Sequence, residues 1–328
     1  MKLAIVGCTG LVGGVIIKVL EEQQINITEL LLVASEKSVG NSIKYKGRKK
    51  KVISIEKAIQ RKPDFAIFSA GKEVSKKYAP LFTEKGTVVI DNSSAWRMDE
   101  NVPLVVPEIN IHTALNSKLI ANPNCSTIQL VLALHNLHKT FQAKRLVIST
   151  YQSVSGSGIK GIYQLGFEKA GLPVANPAYP HQIDSNVIPH AGAFVEGGYT
   201  EEEVKLVNET RKILDDSAIQ ITATVVRVPV EIAHSIALNV EFEKDFTLEQ
   251  VFSTLKNTSG VVVMDDVANN IYPMPICTKD KDEVFVGRIR KDFSQDNTLN
   301  MWITADNLRK GAATNAVQIL KELASKNA

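Results

Sequence analysis

A chain of 328 residues is long enough for two packed domains, and 44% hydrophobic with 22% charged residues is ordinary for a soluble protein. A formal charge of +3 is too small to make nucleic acid or a membrane surface the partner, and no apolar run approaches the ~20 residues that span a bilayer. Cys8, Cys125 and Cys277 show no pairing rhythm and no C-x-x-C, which excludes a disulfide framework or a cysteine-rich zinc site and fits a reducing, cytoplasmic setting.

The opening "MKLAIVGCTG" reads as a strand over 2–7, not as a secretory leader. The spacing of Val12, Val15, Ile16 and Val19 predicts a helix over 11–22. Strands follow at 29–35, 64–71 and 86–94, with a helix near 73–85. The basic run "YKGRKKKV" (45–52) reads as a solvated hairpin. Strand and helix alternating in this way require crossovers and a parallel sheet, and continuously apolar strands suit a sheet covered on both faces. After Cys125 the pattern changes to a helix at 126–138 and a long strand at 143–154. Residues 156–199, rich in glycine and proline, read as an irregular excursion. A helix at 200–214 precedes half-buried antiparallel strands at 218–228 and 234–243. Strands near 260–264, 284–290 and 298–305 complete a second sheet. The last helix, 308–325, carries Ala312, Ala316, Ile319, Leu320 and Leu323 on one face.

"GCTGLVG" puts Gly7, Gly10 and Gly13 where the first strand meets the first helix. A tight turn, close approach of a pyrophosphate and free N–H groups at a helix start all favour glycine there. The expectation is a dinucleotide site. The second strand ends "VASEKSVG", where Ser35, Lys37 and Ser38 suit a ribose 2′-phosphate and Glu36 is an acidic neighbour, so the cofactor is read as NADP.

"SAWRMD" (94–99), "NPNCST" (122–127), "QSVSGSG" (152–158) and "RVPVEIAHS" (227–235) follow the glycine loop in that order. Together they resemble the aspartate-semialdehyde dehydrogenase family over nearly the whole chain. The resemblance implies an α/β subunit. Its N-terminal Rossmann-type doubly wound sheet spans 1–123 and 306–328. An α+β catalytic and dimerisation domain with a largely antiparallel sheet spans 124–305. It also implies a homodimer that reduces L-4-aspartyl phosphate with NADPH to L-aspartate 4-semialdehyde and phosphate. Such a step serves lysine, threonine, methionine and diaminopimelate biosynthesis. Its partners are small molecules, with no nucleic acid and no membrane.

By this resemblance Cys125 is the nucleophile, His234 the acid/base histidine and Gln152 the residue that positions the acyl group. Arg97 holds phosphate, Arg227 clamps the substrate carboxylate, Glu202 takes the amino group and Lys205 the phosphate. Gly7, Thr9, Gly10, Leu11 and Val12 surround the nucleotide with Ser35, Lys37 and Ser38, while Ser155 and Gly156 approach the nicotinamide and Asn307 is another cofactor contact near the last helix. The residues themselves support part of this. Free cysteine is among the most buried residue types, and alone Cys125 reads as a small hydrophobe. Yet Asn124 can cap a helix starting at 126, and a helix N-terminus lowers a thiol pKa. An acyl phosphate is reduced most simply by thiolate attack, loss of phosphate and hydride delivery to a thioester. Asn124 thereby becomes a candidate for shaping the site. His135 and His138 ride the helix of Cys125 about three turns on, His112 lies in a surface-like segment, and His181 and His190 lie in the excursion. Glu202 and Lys205 also read as a solvated i,i+3 pair, with Glu201 and Glu203 alternative registers. Two other enzymes share the thiol chemistry: N-acetyl-γ-glutamyl-phosphate reductase, and glyceraldehyde-3-phosphate dehydrogenase, whose acidic strand end and Cys-Thr-Thr-Asn context are absent. A non-catalytic NADP-binding regulatory protein would keep the glycines and lose the thiol, base or arginines.

Overall fold

Lys2–Val6, Phe65–Phe68 and Val88–Asp91 are buried at almost every position, so each needs cover on both faces and a hydrogen-bonded neighbour on both edges. The computed structural model describes residues 1–326, which divide into two units: Met1–Asn124 with the chain from Ala312 onward, and Cys125–Gly311.

The first unit runs β1 (Lys2–Val6), α1 (Leu11–Glu22), β2 (Glu29–Val33), β3 (Ser42–Tyr45), β4 (Arg48–Ile53), α2 (Ile55–Gln60), β5 (Phe65–Phe68), α3 (Lys72–Glu84), β6 (Val88–Asp91), α4 (Pro107–Asn110) and β7 (Leu119–Ala121). The sheet order is β3-β4-β2-β1-β5-β6-β7 among the described residues. Every pairing in it is parallel except the β3–β4 hairpin. That hairpin carries the basic run with its lysines toward solvent, turning at Lys46 and Gly47, both at positive φ. Successive residues of β1 serve opposite layers. Leu3 and Ile5 pack with Ile16 and Leu20 of α1, while Ala4 and Val6 pack with Ala58, Ala79 and Phe82 of α2 and α3.

The second unit runs α5 (Cys125–Phe141), β8 (Ala143–Gln152), α6 (Ile159–Lys169), α7 (Glu201–Leu214), β9 (Gln220–Arg227), β10 (His234–Phe242), α8 (Leu248–Lys256), β11 (Val261–Val263), α9 (Pro275–Thr278), β12 (Val284–Lys291) and β13 (Thr298–Ala305). Its sheet order is β11-β12-β13-β10-β8-β9. The three central junctions are antiparallel and the two outer ones parallel. Leu130, Leu134 and Leu137 of α5 seal one face over Leu146, Ile148, Ile236, Leu238 and Ile303. The opposite face carries half-exposed groups, including Tyr151 against Trp302 with ring centroids 5.2 Å apart. The chain then returns to the first unit as α10 (Thr314–Lys326), whose Ala316, Val317, Ile319 and Leu320 join the cluster around Ile16 and Leu20.

Two local readings are corrected. The stretch 156–199 contains a true helix, α6, which buries Leu165 and whose Gln164 Oε1 accepts from the main-chain N–H groups of Ala178 and Tyr179. Cys277 sits in the short helix α9. The last helix begins at Thr314; the five residues before it, Arg309–Ala313, wind as a π-helix.

Candidate active site

In the first unit the glycine loop is held by sterics. Gly7 has φ +91°, and a Cβ there would lie 2.3 Å from the Ser69 carbonyl oxygen; a Cβ on Gly13 would lie 2.2 Å from the Gly7 oxygen. Gly10 is the N-cap of α1 and supplies no side-chain acceptor, so the first-turn N–H groups have no side-chain cap. The loop follows β1, next to the end of β5, where crossovers leave the sheet in opposite directions and open sheets bind ligands. A cradle that any side chain would fill, under an uncapped helix start, suits a pyrophosphate. Thr9 and Gly10 are exposed, and Leu11 and Val12 half-buried. Beyond β2, Ser35, Glu36 and Lys37 are exposed and Ser38 half-buried in one 3₁₀ turn. Cys8 is inert by comparison, because burial pushes its thiol up to about 11.

Arg97 lies past the end of β6 and is almost wholly buried. Its Nε donates to the Asn122 carbonyl (3.0 Å) and an Nη to the Asn92 carbonyl (2.9 Å). Asn92 is itself fixed by bonds to Phe68 O (2.8 Å) and from Asn122 Nδ2 (2.9 Å). The guanidinium is thus pre-oriented before any anion arrives.

In the second unit, strand register assembles the chemistry. Gln152 and Arg227 are paired residues at the parallel ends of β8 and β9, and β10 starts beside them at His234. Gln152 Nε2 donates to Ser126 Oγ (3.1 Å), tying the strand end to the first turn of α5, whose first residue is Cys125. Arg227 Nη1 donates to the Ser153 carbonyl (2.8 Å), and its guanidinium carbon sits 5.8 Å from the centre of the Tyr179 ring. The His234 ring is fully buried. Burial, then the charge of Arg227, holds its pKa well below the ordinary value, against a smaller opposing effect of the Ala233 backbone. Arg227 Nε and His234 Nε2 are buried without a hydrogen-bond partner among the described residues. Leaving such groups unpaired costs about 1–3 kcal/mol each, which a bound ligand would recover.

Gly156 packs against both side chains. A Cβ there would lie 2.6 Å from Arg227 Nη1 and 3.0 Å from His234 Nε2. Asn307, just past β13, spends its amide on Ser153, Ser155 and the Ala233 N–H. That last bond holds Ala233 at φ +77°, a strained value for alanine immediately before His234.

On α7 the three adjacent acids separate cleanly. Glu203 closes a capping box with Thr200 and also accepts from the Val225 N–H (3.1 Å), so it serves the helix start. Glu202 is mostly buried and pairs with Lys205 at 3.4 Å; Glu201 is exposed. The remaining histidines have other surroundings. His135 is buried on α5 with Nδ1 3.1 Å from Leu132 O, His138 lies 3.7 Å from Asp216, and His190 stacks on Phe194.

Sequence reasoning misses Ser153 and Gly311. Ser153 lies inside the quoted "QSVSGSG", but its contribution is largely main-chain. Gly311 matters through what it lacks: a Cβ there would lie 3.0 Å from the Cys125 Cβ.

Two family descriptions match the chain: "Semialdehyde dehydrogenase, NAD binding domain" over residues 2–117 and "Semialdehyde dehydrogenase, dimerisation domain" over residues 134–310. An aspartate-semialdehyde dehydrogenase of Aquifex aeolicus is 50% identical over 332 residues, covering 98% of this chain and 97% of that one. The chain belongs to the aspartate-semialdehyde dehydrogenase family. Aspartate semialdehyde dehydrogenase II of Vibrio cholerae, solved in complex with ASA, superimposes with a TM-score of 0.94 at 42% identity, covering 99% of this chain and 98% of that one. The Candida albicans aspartate semialdehyde dehydrogenase, solved with NADP, shares the fold at 24% identity and a TM-score of 0.77, each chain covered to 99%. Membership in this family makes the first unit an NAD(P)-binding domain and the chain an oxidoreductase.

Proposed function

We propose that this enzyme carries out the reversible, NADPH-dependent reductive dephosphorylation of L-4-aspartyl phosphate to L-aspartate 4-semialdehyde and phosphate. The observation that carries it is the pair of buried, unpartnered nitrogens, Arg227 Nε and His234 Nε2, on side chains that pack against Gly156. A planar guanidinium suits a carboxylate, and an imidazole beside it suits a reacting carbonyl.

In the biosynthetic direction the Cys125 thiolate attacks the acyl carbon and phosphate leaves, giving a thioester on sulfur. The start of α5 favours the thiolate, and Gln152, pinned to Ser126, steadies the acyl oxygen side. Arg227 takes the α-carboxylate, Glu202 the amino group, and Arg97 and Lys205 the phosphate, with Asn124 shaping the turn before the nucleophile. A nicotinamide held here would supply the hydride for reducing that thioester, the aldehyde leaving as the Cys125 thiolate is restored. Gly7, Thr9, Gly10, Leu11 and Val12 would hold its pyrophosphate side, and Ser155, Gly156 and Asn307 its reactive end. Ser35, Lys37 and Ser38 select NADP, since no carboxylate ends β2 itself. The half-exposed sheet face with Tyr151 and Trp302 is the surface of a homodimer. The enzyme acts in the cytoplasm, in the biosynthesis of lysine, threonine, methionine and diaminopimelate; no helix among the described residues is long and apolar enough to cross a membrane.

Purified protein mixed with aspartate semialdehyde, phosphate and NADP should generate reduced cofactor, visible by absorbance, with NAD much less effective. Silence in this assay with cofactor binding intact would overturn the activity; equal use of NAD would overturn the cofactor choice.

A further inference from the structure

Three side-chain amides form a chain across the first unit. Asn315, the second residue of α10, is fully buried, and its Nδ2 donates to the Val105 carbonyl (2.9 Å) and to Asn122 Oδ1 (2.7 Å). Asn122 Nδ2 donates to Asn92 Oδ1 (2.9 Å) and reaches the Ala312 carbonyl (3.3 Å). Asn92 Nδ2 donates to the Phe68 carbonyl (2.8 Å). A main-chain carbonyl can only accept, so Val105 fixes which way the Asn315 amide points and Phe68 does the same for Asn92. The two orientations meet correctly at Asn122, so the whole chain has one polarity. It ties the carboxyl ends of β5, β6 and β7, where open sheets bind ligands, to the start of α10. An amide at a fully buried helix position costs desolvation and helix propensity relative to leucine, so stability alone does not call for Asn315.

Arg97 hangs on the two inner members of this chain. Its Nε donates to the Asn122 carbonyl and an Nη to the Asn92 carbonyl, so the plane of the guanidinium follows the separation of residues 92 and 122. The Asn122–Asn92 side-chain bond sets that separation, and Asn315 holds Asn122 in the orientation that makes the bond. Asp91, the neighbouring carboxylate, turns its oxygens to the Ser93 N–H (3.1 Å) and hydroxyl (2.6 Å). We propose that Asn315 is a positioning residue for phosphate, acting through Asn122 and Asn92 on the Arg97 fork. This rests on the reading of Arg97 as the phosphate-binding arginine. A fork aimed in advance loses less freedom when the anion arrives, so the relay acts on phosphate affinity and not on the cofactor.

Asn315→Ala is compared with Val317→Ala, a fully buried position on the same helix, so that both variants lose stability and only the first breaks the relay. With inorganic phosphate as the varied substrate, Asn315→Ala should raise KM for phosphate about tenfold, the scale of one misplaced hydrogen bond to a charged group. Its KM for NADP and for the semialdehyde should stay within about twofold, as should all three in Val317→Ala. On an Arg97→Ala background, Asn315→Ala should add nothing further to KM for phosphate. An equal rise in all three constants, the same rise in Val317→Ala, or full additivity with Arg97→Ala would overturn the proposal. ¹⁵N-arginine-labelled protein gives the second arm. The Arg97 Nε–H signal, assigned by its loss in Arg97→Lys, should exchange slowly with solvent in wild type and at least about tenfold faster in Asn315→Ala. Unchanged exchange would overturn the proposal as well. Should Asn315→Ala fail to fold, Asn315→Ser takes its place in both arms with the same expected directions. Exchange needs no turnover, so a wild-type protein inactive on the semialdehyde would sink the functional reading and leave the relay to be decided by this signal.

Discussion

Gly156→Ala isolates the geometry of the site, because Gly156 does not occupy a left-handed conformation and its backbone tolerates a side chain. The added carbon would sit 2.6 Å from Arg227 Nη1, about 0.8 Å inside the 3.4 Å at which ordinary contact begins, and 3.0 Å from His234 Nε2. Both neighbours are buried, and Arg227 is held by its bond to the Ser153 carbonyl, so relief must come from moving the guanidinium or the ring. A misplacement approaching 1 Å at reacting groups costs on the order of 10²-fold in rate. The expected result is therefore a kcat/KM for aspartate semialdehyde lower by ~100-fold, about 2.7 kcal/mol of transition-state stabilisation, with a destabilisation of about 1–3 kcal/mol from overpacking. Steady-state kinetics and thermal unfolding measure both. Gly166→Ala is the control: it lies in α6 with nothing within 4 Å of its Cβ, and should raise stability by about 0.5–1 kcal/mol without touching turnover. Wild-type kcat/KM in Gly156→Ala would refute the view that this glycine is kept small to make room for the Arg227 and His234 side chains.

Three further outcomes are expected. Cys125→Ala should abolish turnover and leave NADP affinity near wild type, measured by cofactor titration; residual turnover above a few percent would remove the covalent step. Arg227→Lys should raise KM for the semialdehyde far more than for phosphate, since lysine cannot reproduce the planar fork; the opposite ranking would mean that Arg97 and Arg227 have exchanged tasks. The Cys8 thiol at about 11 lies above its usual 9.0, so the folded state disfavours the thiolate and stability is lost as pH rises from about 9 to about 11, by about 3 kcal/mol at most. Chemical denaturation across that range should show the fall in wild type and its relief in Cys8→Ala, and thiol alkylation at about pH 8 should spare Cys8.

Much of the architecture is legible in the sequence because it rests on burial periodicity. The apolar runs of β1, β2, β5 and β6 and the amphipathic spacing of α1 and α10 carry the doubly wound unit almost unaided. α6 is hidden because Gly161 and Gly166 depress helix propensity; the helix is held from outside, by Gln164 and by the close seat of Gly161 against the Val154 carbonyl. α8 announces itself through Thr247 and Gln250, a capping box realised in the structure, but only to a reader who looks for the box. At the site, side chains with distinctive chemistry can be read in advance. The amide of Ser153 and the missing Cβ of Gly311 cannot, because neither is a property of residue type.

The discontinuity of the first unit bears on how the protein is made. Its α10 emerges from the ribosome after an intervening stretch of about 190 residues, which at ~5–20 residues per second is roughly 10–40 s after β7. Until then Leu3, Ile5, Ile16 and Leu20 lack the cover of Val317, Ile319 and Leu320. The nucleotide-binding half of the nascent chain is thus the last to be completed, although it is the first to be translated. A chain that stops short of Thr314 would leave that half with an open apolar face for chaperones to guard.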